Sequence, residues 1–283
     1  INTENKEQFR LSLMKNQSVY EEKFKEALAP VLDEQLAEAL ANLESKPTNS
    51  SKEYEEQLFD DAEADKRFSE VILPVMLALF TAQGALALLF AGDDSKEFTI
   101  TPQLQAKTES DVARMARNFN DETLAALNKT VNEGVLANES LSELKKRIEK
   151  TYTDTKGYRA ERIARTETLK ASNRATVEAY KQTGYITGKQ WYTNPGACPI
   201  CDEMDGKIVE LDTDFLKQGS AVSYTDANGE DKEYQVDYED VSVPPVHPQC
   251  RCTIIPYTGE VKALEPQVKK AIEEAPRVDS KIE

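Results

Sequence analysis

All four cysteines of this 283-residue chain, and its only histidine, lie between Cys198 and Cys252. They stand as Cys198-Pro-Ile-Cys201 and His247-Pro-Gln-Cys250-Arg-Cys252. Zinc takes four thiolate or imidazole ligands in a tetrahedron, often as two close pairs that the fold brings together. The C-x-x-C supplies one pair, and His247 with Cys250 or Cys252 supplies the other. Cys198, Cys201, His247, Cys250 and Cys252 are therefore five candidates for four places, and one cysteine is left over. The stretch between the pairs is long for a compact finger and suits a β insertion whose ends a metal ties together. Competing readings are a disulfide from Cys198 to Cys250 or Cys252, or reduced structural thiols, the disulfide needing an oxidising compartment. Thioredoxin-like redox chemistry needs a βαβ setting, which the pattern lacks.

The same residues close most catalytic routes. The zinc deaminases place H-x-E before their C-x-x-C, whereas the only histidine here follows it. H-E-x-x-H fails for want of a second histidine, and a Ser-His-Asp triad would have to use His247. Neither G-x-x-x-x-G-K-[ST] nor G-x-G-x-x-G occurs.

The rest of the chain reads as helical and acidic. Net charge is −16, mean hydropathy is −0.60 and 30 % of residues are charged, which suits a helix-rich chain with a large solvated surface. So acidic a chain is a poor general ligand for DNA phosphates. Residues 1–10 lack a charged start followed by an apolar run, so no secretory signal is expected there. Residues 1–66 follow helical spacing through Val19, Phe24, Leu28, Val31, Leu32, Leu36, Ala39 and Leu40. Pro30 should kink or divide that helix, and 46–51 is expected to be a turn or linker. Residues 71–92 are apolar and long enough as a helix to cross a bilayer. The preferred reading is a buried helical hairpin, started near Pro74 and broken near Gln83–Gly84, that meets a membrane at most transiently.

Residues 108–183 predict three helices, with starts at Thr108 and at the capping box Ser140…Glu143. Ala160, Ala164, Thr168, Ala171, Ala175 and Ala179 form a narrow ridge that another helix can approach closely, and Gly184 stops that helix. Basic residues dominate 145–174. Lys145, Lys146, Arg147, Arg159 and Arg162 form the candidate surface for DNA or an acidic partner, set against a solvated helix face with internal ion pairs. Beyond Gly184 the pattern turns to strands at 188–193, 207–211, 221–225, 233–236 and 251–257, with Asn228-Gly229 as a hairpin signal. A short helix at 267–274 and a polar tail complete the chain.

Between about 160 and 257 stand Ile163-Ala-Arg-Thr-Glu-Thr168, Asn173, Gly184, Trp191, Cys198-Pro-Ile-Cys201, Asp205-Gly206 and Pro244-Pro245-Val-His247-Pro248-Gln-Cys250-Arg-Cys252-Thr253. In order and spacing these resemble the phage Mu F-like minor head protein family. The resemblance implies a structural, non-enzymatic protein. It would be made in the cytoplasm of an infected bacterium and built in few copies into the virion, inside the head near the portal. Its partners would be the portal protein and the major capsid or scaffold protein, and phage DNA during packaging or ejection. Beside that stands a local reading of Arg165, Glu167 and Asn173 as a polar lock. Arg165 and Glu167, two apart on one helix, face different partners. The different-class alternative is a virion-carried effector enzyme, zinc-dependent or ADP-ribosylating through an Arg/Glu pair.

The expected architecture is α+β: a helical region 1–104, a Mu F-like domain 105–257 and a tail 258–283. Within the domain, helices fill 105–184 and a loop-rich β unit with structural zinc fills 185–257.

Overall fold

The computed structural model describes residues 3–45, 58–93 and 95–259. The expected linker at 46–51 and the helix at 267–274 lie outside the described residues. The fold is α+β. Its helices are α1 (Thr3–Ser45), α2 (Asp61–Ala91), α3 (Pro102–Leu136), α4 (Leu141–Asp154), α5 (Ala160–Thr183) and the short α6 (Pro199–Asp202). A π-helical turn, Thr155–Arg159, joins α4 to α5. The strands are β1 (Gly188–Tyr192), β2 (Ile208–Glu210), β3 (Ala221–Thr225), β4 (Asp231–Gln235) and β5 (Thr253–Tyr257).

These elements form two compact units that interleave along the chain. The first gathers the N-terminal segment to Val19, Leu79–Thr99 and the chain from Arg165 onward; the second gathers Tyr20–Ala78 and Ile100–Ala164.

The second unit is helical. Phe24, Phe68 and Phe119 meet at its centre, with ring centroids 6.1 and 5.5 Å apart. Leu28, Leu32, Leu127, Val131, Leu144, Ile148 and Tyr152 extend this core. Each such side chain contributes roughly 1.5–3 kcal/mol on burial. A polar chain crosses it: Gln35 donates to Asn120 Oδ1 at 3.2 Å, and Asn120 donates to Asp65 at 2.7 Å.

Several expectations change here. Pro30 does not divide α1, which runs unbroken from Thr3 to Ser45. Pro30 and Glu26, whose carbonyl Pro30 cannot bond, are both exposed residues, while Leu28, Val31 and Leu32 are held in the core. Gln35, whose amide nitrogen donates to Asn120, takes the core position given to Leu36, and Val19 is exposed. The start at Thr108 lies inside α3, whose cap is Thr101. The Thr101 hydroxyl accepts the Leu104 N–H at 3.2 Å, and Pro102 fits the first turn. Thr108 instead donates to the Leu104 carbonyl at 2.8 Å, the other option open to a helical threonine. The capping box Ser140…Glu143 is present as read.

The apolar stretch 71–92 is not a hairpin, since α2 passes through Gln83 and Gly84 without a break. Both residues face inward. Gln83 donates to Thr176 at 3.2 Å and accepts from Asn16 at 3.1 Å, so its polar amide is satisfied within a continuous helix. Gly84 lets the Phe98 ring lie on the helix backbone; a Cβ there would stand 2.3 Å from the ring. This is one helix long and apolar enough to cross a membrane, and 44 % of its most apolar window is buried.

In the first unit α5 is the central element. Thr168, Ala171, Ala175 and Ala179 are all buried. Gln17 on α1 donates to the Arg165 carbonyl at 3.3 Å and Gln83 on α2 reaches Thr176. Arg10, 1 % exposed, pairs with Glu7 and donates to Asn194 at 2.5 Å. Gly184 takes φ +79° and turns the chain into the sheet. There β1 lies between β2 and β5, antiparallel to both. Trp191 on β1 is fully buried, edge-on to Phe215 at 5.1 Å. The pair β3–β4 forms a separate antiparallel hairpin.

Candidate metal centre

Each half of the centre is preset by its own backbone. Cys198 is the N-cap of α6 and Pro199 opens that helical turn. The Asp202 N–H returns to the Cys198 carbonyl at 3.0 Å, so Cys198 and Cys201 sit on one turn. The Cys250 N–H points back to the His247 carbonyl at 3.4 Å, closing a second turn. Between them Gln249 adopts φ +68°, a left-handed conformation uncommon for a residue with a Cβ.

The two turns meet. His247 Nε2 lies 3.0 Å from Cys198 Sγ and 3.2 Å from Cys201 Sγ, and Cys201 Sγ lies 3.7 Å from Cys250 Sγ. Two groups of metal-ligand atoms result: Cys198, Cys201 and His247, and Cys201, Cys250 and Cys252. Within each, all ligand atoms lie inside 4.8 Å of one another. All four cysteines are free thiols. His247 Nδ1 is 2.7 Å from the Pro248 carbonyl. A proton on Nδ1 for that bond leaves the Nε2 lone pair facing the sulfurs. The Cys252 N–H donates to Cys250 Sγ at 3.3 Å. The Cys201 thiol, the Cys252 thiol and this N–H hold the Cys250 thiol well below its usual pKa, while the contact with Cys250 pushes Cys201 up. The two groups share Cys201, and their thiols and imidazole nitrogen are donors of the kind that zinc takes.

The surrounding residues hold the second turn from several sides. Asn173 on α5 is fully buried. Its amide nitrogen donates to the carbonyls of Pro244 at 3.2 Å and Cys252 at 3.3 Å, and its oxygen accepts the Thr253 hydroxyl at 2.9 Å. Two helical turns earlier, Arg165 donates to the side chain of Gln249. Tyr234 and Tyr238 both donate to the Val246 carbonyl, at 3.1 and 2.8 Å. The first turn is tied to β1 through Asp205, which accepts from the N–H and hydroxyl of Thr193 at 2.8 and 2.7 Å.

The structure thus brings Cys198, Cys201, His247, Cys250 and Cys252 together, with Arg165 and Asn173 behind them. Glu167 is half-buried and, among the described residues, takes no hydrogen bond or ion pair. Its carboxylate only faces the hydroxyl of Tyr238, which is pushed up first by burial and more weakly by that charge. Tyr234, Tyr238 and Asp205 hold the centre without belonging to its ligand motif. The spacing of Tyr234 and Tyr238, four apart before the Pro-Pro, is the one sequence signal for them.

The proposed DNA-facing residues lie in the helical unit, mostly against acids. Lys145 pairs with Glu44. Arg147 grips Glu139 at 2.6 Å, Arg159 meets Glu122 at 3.0 Å and the Phe119 ring, Arg162 stacks over Tyr158, and Lys146 lies near Glu143.

Residues 125–255 match the family model described as phage Mu protein F like protein. No curated protein and no solved structure matches the chain. The matched segment contains the whole Cys/His centre and all of α5, the helix that holds it. Over residues 125–255 the chain is therefore similar to phage Mu protein F like proteins.

Proposed function

We propose that the chain is a structural, non-catalytic minor head protein of a tailed phage. It sits inside the head beside the portal and touches the portal protein and the major capsid or scaffold protein. From there it serves head assembly and the packaging or ejection of DNA. The observation that supports this best is that the family-matching segment ends in a centre built to hold shape. The only histidine faces two cysteine sulfurs at 3.0 and 3.2 Å, which removes the residue most often used as a general base. Polar groups beside it are engaged with backbone: Asn173 with two carbonyls, Tyr234 and Tyr238 with a third.

Zinc fits this role. Cys198, Cys201, His247 and the Cys250–Cys252 pair would hold it, and it would supply a rigid cross-link between the two turns, adding folding free energy outright. The segment between Cys201 and Cys250, which lie 49 positions apart, includes the acidic hairpin β3–β4 and would then project as one unit from a fixed base.

Cross-linking mass spectrometry of intact heads tests the placement. Lysines of this chain should cross-link to the portal protein from inside the shell. Cross-links confined to the outer capsid surface, or to the tail, would contradict it.

A further inference from the structure

Arg10 of α1 is only 1 % exposed, and its own helix satisfies its charge only in part. Its Nε and one terminal nitrogen hold both oxygens of Glu7, at 2.9 and 2.5 Å. That bidentate grip fixes the plane of the guanidinium. The other terminal nitrogen donates to Asn194 Oδ1 at 2.5 Å, with the Met14 sulfur beside it at 2.8 Å. Among the described residues, Asn194 is its one hydrogen-bond partner outside α1. An exposed ion pair of this spacing contributes little, but a buried arginine that loses a partner is left with an uncompensated charge.

Asn194 opens the turn that leads to the first two cysteines. Its Nδ2 donates to the Pro195 carbonyl at 2.9 Å, and its own carbonyl accepts the Ala197 N–H at 3.0 Å. The side chain that Arg10 holds is therefore tied to the backbone that delivers Cys198. Asp205 already fixes the preceding residue, Thr193, and Arg10 supplies a second fixed point. The Tyr192 hydroxyl donates to Glu7 at 3.4 Å, so the same ion pair also meets the end of β1. Seven positions along α1, and so on the same helix face, Gln17 donates to the Arg165 carbonyl at 3.3 Å. The Arg165 side chain in turn reaches Gln249 in the second turn. The first part of α1 is thus bonded toward both halves of the centre, although it lies outside the family-matching segment 125–255.

On the zinc reading above, we propose that the N-terminal part of α1 belongs to the frame of the metal centre. Arg10 is the positioning residue: it sets Cys198 through Asn194, so metal binding and the docking of α1 strengthen each other.

Zinc affinity of the full-length chain, read by competition with a chelator, and amide exchange along α1 test this together. Arg10→Met keeps most of the side-chain volume and removes the bonds; it should lose about tenfold in zinc affinity, as loss of an outer partner of a metal ligand does. Asn194→Ala should lose about as much. The double variant should lose no more than either alone, because both act through one bond. Lys15→Ala, exposed on the same helix, should keep native affinity. Linkage demands the reverse effect: zinc should slow exchange of the native amides from Phe9 to Val19 by about the same tenfold. That comparison needs no variant, so it decides the matter where Arg10→Met does not fold. Native zinc affinity in a folded Arg10→Met, additive losses in the double variant, or α1 exchange indifferent to zinc would each overturn the proposal and leave the metal reading standing. A native chain that binds no zinc would overturn both.

Discussion

Asn173→Ala is the sharpest test of how α5 supports the Cys/His centre. The side chain is fully buried, and its three hydrogen bonds, at 2.9, 3.2 and 3.3 Å, all end on the segment 244–253. Alanine removes both donors and the acceptor. The carbonyls of Pro244 and Cys252 lose their side-chain donor, while the Thr253 hydroxyl keeps a weaker bond to Ile254 at 3.4 Å. A buried polar group left unsatisfied costs about 1–3 kcal/mol. The structure therefore predicts a loss of about 3–5 kcal/mol, a large part of the 5–15 kcal/mol typical of a domain. Urea unfolding followed by tryptophan fluorescence reads this directly, because Trp191 is the only tryptophan and is fully buried on β1 of the same unit. With a slope of about 2 kcal/mol/M, the midpoint should fall by roughly 1.5–2.5 M. Glu167→Ala, which removes no hydrogen bond, should shift it by less than about 0.5 M. An Asn173→Ala midpoint within about 0.3 M of native would refute the claim that Asn173 fastens the segment.

Other expectations follow from single sites. Gly84→Ala should destabilise the chain by about 1–3 kcal/mol, because the new Cβ collides with the Phe98 ring; calorimetry would show no loss if α2 and Phe98 separated freely. Lys189 is buried, donates to the Leu211 carbonyl at 2.8 Å, and burial lowers its pKa to about 8. The unfolded chain thus holds this proton more tightly, so stability should climb as pH rises from about 8 toward 10.5 and level off above; urea midpoints of Lys189→Met should lack that climb. Duplex DNA should show no salt-dependent binding to the helical unit, since Lys145, Arg147 and Arg159 already face acids; a steep salt slope abolished by charge reversal at these positions would sink that view. Stripping the metal with a chelator should lower Tm by about 5 °C or more and restore it on zinc addition; an unchanged Tm would leave the centre without a structural metal.

Much of this was legible in the sequence where residue type leaves few options. Cysteine and histidine are rare here and confined to one segment, so their meeting could be read directly. The alanine ridge of α5, the capping box at Ser140 and the strands around Trp191 were equally plain. The misreadings share one cause: a local rule met a tertiary partner that sequence order hides. Pro30 sits on a solvent face where its missing N–H harms little. Gln83 and Gly84 read as a break but serve as a hydrogen-bond junction and a seat for Phe98. Thr108 carries the signature of a cap, yet Thr101-Pro102 supplies a better one. The hairpin signal at Asn228-Gly229 marked the right place. There Asp226 accepts the N–H groups of Asn228 and Glu230, and the loop spans five residues between β3 and β4. Tyr234, Tyr238 and Asp205 lie outside the ligand motif, and only the folded chain shows that they aim at backbone groups beside it.

The central claim is that this chain is a component of the phage head, present in few copies at the portal vertex. Quantitative mass spectrometry of purified heads, scored against the portal and major capsid proteins, tests it most directly. A fixed ratio of a few copies per portal ring is the predicted result. Absence from the particle, or a copy number that follows the major capsid protein, would contradict it.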